Sequence, residues 1–199
     1  MGVWDCFEYS VSVSGIIDAR CETVWRLVSD LDHYASVSTN IESSTRIIVA
    51  DGSQHSNSRR DPIRVGTRFR RTLRVGGNSA VLVSEFTVTE YDLKDANSFP
   101  KTVSIFTDSP TERMPRRVSW TVSRAAQDES KCVLLLSATM LPKRLWLWFG
   151  GLKLVCVCRF RDISERMLHR ELQDFAAAAT AMERKESSRE ESSREQGRD

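Results

Sequence analysis

The sequence predicts an α+β fold in which one curved, seven-stranded antiparallel sheet wraps around a long C-terminal helix, with two short helices after the first strand. Three observations predict it. Segments with the period-two alternation of β-strands fill the middle of the chain, a short amphipathic segment follows the first of them, and a longer one runs from Ile163 to Ala181. A sheet and a helix that each have one apolar face bury those faces against each other.

Length and composition predict a single domain that needs no disulfide or metal support, since the chain has 199 residues. A net charge of +2 does not match the strongly basic surface of a nucleic-acid-binding protein, so we expect no nucleic-acid partner. The five cysteines are an odd number without the spacing of a metal site, which favours reduced thiols. The N-terminal segment includes Asp5 and Glu8 and does not resemble a secretory signal, so we expect a cytoplasmic protein. The histidines and cysteines lack metal-ligand spacing, and we expect no metal or cofactor.

The residue pattern in the first third of the chain predicts a strand, two short helices and a second strand, in that order. Glu8 to Ile16 alternates with period two, and a helix that begins at Asp18 or Ala19 follows it. A second short helix is predicted within Asp30 to Ser38, and a strand from Ile41 to Ala50. The polar stretch from Asp51 to Arg64 predicts a loop.

A hairpin is predicted at the centre of the chain, where Gly77 and Asn78 form a two-residue turn between the strands Thr67 to Val75 and Ala80 to Tyr91. Pairing Gly76 with Ser79 fixes the register and places Arg70 opposite Glu85 as an ion pair. The predicted inner face consists of Val75 with Ala80, Leu73 with Leu82, Arg71 with Ser84, and Phe69 with Phe86.

Three further strands and the long helix complete the prediction. The strands are Thr102 to Phe106, Val118 to Arg124 and Lys131 to Leu141, with Trp120 placed opposite Leu134. The inward residues of the last two are predicted to be Val118, Trp120, Val122, Cys132, Leu134, Leu136, Ala138 and Met140. We place the domain at residues 7–182, followed at residues 183–199 by a disordered charged tail that repeats Glu-Ser-Ser-Arg-Glu.

On these features the chain resembles the START-like superfamily, the helix-grip proteins often labelled polyketide cyclase/dehydrase or lipid-transport proteins. The resemblance rests on the opening strand with the segment Ala19 to Tyr34, on Val65-Gly66-Thr67-Arg68-Phe69-Arg70, and on Val88-Thr89-Glu90-Tyr91-Asp92. It implies an internal cavity whose use differs among members, which range from ligand carriers and receptors to aromatase/cyclase enzymes. The polar insertion from Asp51 to Arg64 departs from the pattern.

Arg71 is the sharpest candidate for a functional residue, because the register places this one charge on an otherwise apolar face. A buried guanidinium needs a carboxylate, water or a ligand anion, so Arg71 is a candidate anchor for the acidic or carbonyl end of an apolar ligand. The alternative is that Arg71 reaches water at the sheet edge. The predicted ligand-binding residues are Trp25, Phe69, Arg71, Leu73, Leu82, Ser84, Phe86, Trp120, Met140, Leu168, Leu172 and Phe175, which would otherwise be ordinary core.

The segment from Lys143 to Arg161 has five positive charges, no acidic residue and an aromatic cluster. It is too short and too interrupted to span a bilayer. One interpretation is an interfacial element that makes a transient membrane contact through Trp146, Trp148 and Phe149. The other is the buried first half of the C-terminal helix, bent at Gly150 and Gly151.

The function that we predict from sequence is binding of a hydrophobic small molecule or lipid between the sheet and the helix, for sequestration or transfer, with no catalytic residue assigned. The alternative is a polyketide cyclase/dehydratase-like enzyme in the same cavity, with Arg71 polarising a carbonyl and Glu90 or Ser84 moving protons. A third option is a membrane-binding module that uses the basic aromatic segment.

Overall fold

The fold is a curved antiparallel sheet that holds one long helix. The computed structural model describes residues 9–47, 62–75, 80–92, 98–107, 116–140 and 150–196. The strands are β1 (Tyr9–Ile17), β2 (Ile41–Arg46), β3 (Arg68–Val75), β4 (Ala80–Tyr91), β5 (Lys101–Thr107), β6 (Arg116–Ala125) and β7 (Asp128–Met140). The helices are α1 (Cys21–Ser29), a 3₁₀ turn at Tyr34–Ser36, and α2 (Gly150–Gln196).

All seven strands form one sheet in the order β1-β7-β6-β5-β4-β3-β2. Each strand from β2 to β7 pairs with its sequence neighbour, and β1 closes the other edge by pairing with β7. α2 packs on the concave side against β1 and β7, and α1 packs against α2. The predicted fold class is therefore confirmed.

The predicted register of the central hairpin is confirmed for the described residues of both strands, while the predicted turn and the pair of Gly76 with Ser79 lie outside the described residues. Arg71 is opposite Ser84, Phe69 is opposite Phe86, and Val75 is opposite Ala80. On the outer face, Arg70 Nη2 lies 2.8 Å from Glu85 Oε1 in the predicted ion pair. The turn chemistry and the apolar alternation agree on one register, because a slip of β4 by one residue would move Phe86 to the outside.

The predicted pairing of β6 with β7 is wrong by two residues. Trp120 is opposite Leu136, and Leu134 is opposite Val122. The cause is an irregularity next to the hairpin turn, where the register shifts between Arg124 and Ala125. A shift of two preserves the face on which each side chain lies, so Cys132, Leu134, Leu136, Ala138 and Met140 are buried as predicted.

The core between sheet and helix includes two charged residues, of which the strand register predicted Arg71 and no sequence pattern predicted Glu171. Glu171 of α2 and Arg71 of β3 are both buried, with 7% and 2% of their surfaces exposed. Glu171 lies on the inner face of the amphipathic segment that was predicted from Ile163 to Ala181. It lies three residues after Leu168 and four before Phe175, and both of these are buried on the inner stripe.

α2 continues past residue 182, the predicted end of the domain. Glu183 Oε1 lies 3.1 Å from Arg20 Nε, and Glu186 Oε1 lies 2.7 Å from Arg26 Nη2. Thr23 donates a further hydrogen bond to Glu183. Contacts between α1 and α2 thus cross the proposed boundary, and the division into domain and tail stays a prediction. No helix in the described ranges is long and apolar enough to cross a membrane.

Candidate functional site

A cavity lies between the concave face of the sheet and α2. Its volume is about 70 Å³, or about 550 Å³ when all space between atoms is counted, including the open mouth. The described residues that line it are Ile41, Arg71, Leu73, Phe86, Ile105, Arg116, Val118, Trp120, Ala138, Ser164, Met167, Leu168 and Glu171. A mostly apolar wall with a few polar groups is the usual character of small-molecule sites.

Arg71 is the most buried cation in this wall. Its Nε donates to Ser44 Oγ at 3.3 Å, while its Nη2 is buried and has no hydrogen-bond partner among the described residues. The guanidinium carbon lies 4.4 Å from the ring centroid of Tyr34 and 5.7 Å from that of Phe86. Aromatic faces offset part of the desolvation cost of the cation, but they leave its remaining donor unsatisfied.

Glu171 is the acidic group among the described residues that line the cavity. Trp120 Nε1 donates to its Oε1 at 2.8 Å, and the Tyr34 hydroxyl donates to the same oxygen. Burial raises the pKa of Glu171, which outweighs the lowering effect of these two donors and of the Arg71 charge. Burial and the neighbouring carboxyl likewise raise the pKa of Tyr34.

Tyr34 connects the two charged residues. Its ring lies under the Arg71 guanidinium, and its hydroxyl donates to the Glu171 carboxyl. Trp120 and Phe175 pack edge-on against the same ring, at centroid distances of 5.5 and 5.3 Å. This packing fixes the orientation of the tyrosine and therefore the positions of both charges.

Arg116 is a second guanidinium in the cavity wall. It begins β6, and its Nη2 donates to Ser84 Oγ at 3.2 Å. Its guanidinium carbon lies 5.9 Å from the Phe86 ring, which also contacts Arg71. Ser84 is opposite Arg71 in the sheet, so both arginines lie next to the same serine and the same phenylalanine.

Five of the predicted ligand-binding residues line the cavity: Arg71, Leu73, Phe86, Trp120 and Leu168. Phe69, Ser84, Met140 and Phe175 are buried beside it without contributing to its wall. Trp25 instead packs on Tyr91, with a centroid distance of 6.0 Å. Leu172 lies against Gly15 of β1.

Leu82 is opposite Leu73 as predicted but does not line the cavity, and Glu90 does not lie on the inner face. Leu82 is 37% exposed, because it lies near the hairpin end of β4 where no described element covers that face. Glu90 is also exposed, because a bulge between Val88 and Glu90 changes the alternation of β4. Its Oε2 accepts a hydrogen bond from Ser104 Oγ at 2.9 Å instead of facing the cavity.

Sequence analysis missed Arg116 and Glu171. Helical spacing from Leu168 was a usable signal for Glu171. Arg116 is the first residue of β6, and the predicted strand began two residues later at Val118, so the prediction left Arg116 outside the sheet. The predicted membrane-contact residues Trp146, Trp148 and Phe149 lie outside the described residues. The described residues contain no group of three or more His, Cys, Asp or Glu placed to hold a metal ion.

Solved structures similar to this chain share its fold. An aromatase/cyclase, ZhuI from Streptomyces sp. R1128, is 15% identical with a TM-score of 0.59, and the match covers 87% of this chain and 94% of that one. A START superfamily protein from Mycobacterium smegmatis is 13% identical with a TM-score of 0.57, covering 87% and 98%. A protein from Thermus thermophilus is 19% identical with a TM-score of 0.54, covering 85% and 99%.

No curated protein sequence matches the chain. The family model described as polyketide cyclase/dehydrase and lipid transport matches residues 8–178, which is most of the chain. The resemblance inferred from the opening strand, the first helix and the central hairpin is confirmed by this match. The chain belongs to the polyketide cyclase/dehydrase and lipid transport family.

Proposed function

We propose that this protein binds a hydrophobic small molecule in the cavity between the sheet and α2, with the polar end of the ligand at Arg71. The buried Nη2 of Arg71, which has no hydrogen-bond partner among the described residues, carries the proposal. An unsatisfied buried donor is costly, and a ligand oxygen in the cavity would satisfy it.

The apolar wall supports the rest of the ligand. Ile41, Leu73, Ile105, Val118 and Leu168 contribute aliphatic surface. Phe86 and Trp120 add aromatic surface. Burial of a ligand's apolar part against these side chains supplies affinity at roughly 25 cal/mol per Å² before the costs of association. Sequestration or transfer of an apolar molecule requires only this binding.

Filling the cavity tests the proposal. A naphthalene-sized probe, 2-acetylnaphthalene, should bind the wild-type protein with a Kd of about 10–100 μM, as expected of a ligand with so few atoms. Ala138→Phe, at a buried wall position, should weaken this binding at least tenfold. Ser137→Phe, one residue away on the outer face of β7, is the matched control and should bind like wild type. Equal binding by wild type and Ala138→Phe would place the probe elsewhere and contradict the proposal.

Ligand carriage has its own test. Native mass spectrometry of protein purified from its source organism should show a retained apolar molecule that organic solvent removes. A mass equal to that of the bare chain, together with no binding of the probe by wild type, would overturn the proposed function.

A cyclase-like or dehydratase-like enzyme in the same cavity is the second candidate, and Glu171 is the observation that favours it. A buried carboxyl whose pKa is raised keeps its proton to a higher pH than an exposed glutamate does, which is a property of general acids. Glu90, the acid suggested by the sequence, does not face the cavity. Conversion of a poly-β-ketone probe by wild type and its loss in Glu171→Gln, detected by mass spectrometry, would favour the enzyme over the carrier.

A further inference from the structure

We infer that the second carboxyl oxygen of Glu171, Oε2, contacts the polar end of the ligand, so that the protonation of this residue decides between apolar alcohols and apolar ketones of the same shape. This inference rests on the proposed function and specifies its ligand class. An alcohol both donates and accepts hydrogen bonds, whereas a ketone only accepts them.

Glu171 uses one of its two carboxyl oxygens inside the protein. The Tyr34 hydroxyl and Trp120 Nε1 both donate to Oε1, and the described residues provide no hydrogen-bond donor for Oε2. Glu171 is buried and lines the cavity. A carboxylate oxygen has two lone pairs, so the two donors fill those of Oε1 and leave Oε2 for a molecule in the cavity.

A proton on this carboxyl belongs on Oε2. A proton on Oε1 would break the hydrogen bond from Tyr34 or from Trp120, whereas a proton on Oε2 breaks neither. Protonated Glu171 therefore presents an O–H donor to the cavity, and ionised Glu171 presents an acceptor at the same place.

Arg71 supplies the second contact with the ligand. Its guanidinium carbon lies 4.4 Å from the ring centroid of Tyr34, and the hydroxyl of the same ring donates to Glu171. Arg71 and Glu171 both line the cavity, but they are not hydrogen-bonded to each other. One ligand oxygen between them can accept from Arg71 Nη2, which has no partner among the described residues, and meet Glu171 Oε2 on its other side.

The two protonation states of Glu171 suit different ligands. An alcohol accepts a hydrogen bond from Arg71 and donates one to ionised Glu171, so both functions of its hydroxyl are used. A ketone oxygen has no proton to give and faces the lone pairs of ionised Glu171, but it accepts a hydrogen bond from the protonated acid. Ketone affinity should therefore fall as pH rises through the pKa of Glu171, and alcohol affinity should not.

The groups around Glu171 set where it titrates. Burial raises its pKa, its two hydrogen-bond donors and the charge of Arg71 lower it, and the charge of Asp174 on α2 raises it. The pKa of Tyr34 is held well above its usual value, chiefly by burial, so the phenol stays protonated. Arg116 is the other cation in the described wall, and arginines keep their charge at every pH used here. Among the described residues that line the cavity, Glu171 is therefore the group that titrates.

Two uncharged probes of one shape test the inference. 1-(2-Naphthyl)ethanol and 2-acetylnaphthalene have the same skeleton, and only the alcohol has a donor at its polar end. Equilibrium dialysis against the full chain from pH 5 to pH 9 measures both dissociation constants, and neither probe titrates in this range. Ketone affinity should fall by about tenfold or more across the range, while alcohol affinity should fall by less than about twofold.

Glu171→Gln should remove the pH dependence. Its amide oxygen can still accept from Tyr34 and Trp120, which places the amide N–H donors at the position of Oε2. This variant should bind the ketone at every pH as tightly as the wild type does at pH 5. Asp174→Asn is the matched control, because Asp174 is a carboxyl on the same helix that accepts from Thr39 and is not in the described cavity wall. It should keep the fall in ketone affinity, with a midpoint at lower pH because the charge of Asp174 raises the pKa of Glu171.

The outcomes separate this inference from the proposed function. A ketone affinity that stays constant with pH in the wild type, or that falls equally in Glu171→Gln, would overturn the role of Glu171 alone. An alcohol affinity that falls together with the ketone affinity would overturn it as well, and the wild-type series shows this even if Glu171→Gln fails to fold. Binding of neither probe at any pH would overturn the proposed function itself.

Discussion

Gly15 of β1 lies so close to Leu172 of α2 that a β-carbon at position 15 would be 2.8 Å from Leu172 Cδ2. The absence of a side chain at this point leaves room for the end of the Leu172 side chain between the strand and the helix. The alternation of the sequence predicted only that Gly15 lies in a strand. The structure shows in addition that Gly15 is a contact point between the sheet and α2.

Gly15→Val should therefore destabilise the protein by about 1–3 kcal/mol, the usual cost of overpacking a filled interior. Chemical denaturation followed by circular dichroism measures the effect. Ser14→Val, on the exposed side of the same strand, is the control and should change the free energy of unfolding by less than about 0.5 kcal/mol. Equal stabilities of the two variants would show that the helix shifts to accept the added side chain.

Protonation of Glu171 should make stability depend on pH. Its pKa is raised above 4.5 in the folded protein, chiefly by burial, so the folded state binds this proton more tightly than the unfolded state does. The resulting stabilisation is complete below the unfolded pKa and is lost as pH rises through the folded pKa. Glu171→Gln should abolish this component, which appears as a difference between the pH profiles of unfolding free energy.

Glu90→Gln, at an exposed carboxyl, is the control for the loss of one carboxyl by the same substitution. Parallel profiles for wild type and Glu171→Gln would contradict a raised pKa at Glu171.

Cys21 and Cys132 should resist alkylation while the protein is folded. Both thiols are buried, and burial raises the pKa of Cys132 to about 12 and also raises that of Cys21. At pH 8 only about one Cys132 in ten thousand would be a thiolate, the form that reacts with iodoacetamide. Peptide mass spectrometry should find both residues unlabelled after a short exposure and fully labelled in denaturant, and rapid labelling of the folded protein would contradict their burial.

Truncation tests the predicted boundary between domain and tail. Removal of residues 183–199 deletes Glu183 and Glu186, which bind Arg20, Thr23 and Arg26 of the α1 region. We expect a loss of about 1–2 kcal/mol, because each partly exposed pair contributes less than about 1 kcal/mol. Removal of residues 187–199 keeps both glutamates and should cost little, so equal losses from the two truncations would assign the stability to the distal segment.

The sequence was sufficient for the architecture because local and long-range signals agreed. At the central hairpin, the Gly77–Asn78 turn and the apolar alternation both specify the register that the structure has. At the β6–β7 hairpin, an irregularity next to the turn makes the observed pairing differ from the predicted pairing by two residues. Bulges depend on backbone conformation, and their positions are not encoded in the alternation of polar and apolar residues.

The site was harder to predict than the fold. Arg71 was found because a charge on an apolar face is conspicuous, whereas Glu171 was not singled out because glutamate is rarely buried. Its burial depends on two donors, Tyr34 and Trp120, that are 137 and 51 residues away in sequence. Helical spacing could have placed Glu171 on the inner face, but partners at such separation meet only in the folded chain, so no local pattern identifies Tyr34 and Trp120 as its donors.

The pairing of β1 with β7 sets the order of events during synthesis. The first strand leaves the ribosome long before its partner exists, and until then one edge of the growing structure has open backbone groups and uncovered apolar surface. The apolar face of the sheet is fully buried only after β7 has paired with β1 and α2 has packed against both strands. The nascent chain should therefore depend on chaperones until β7 has emerged.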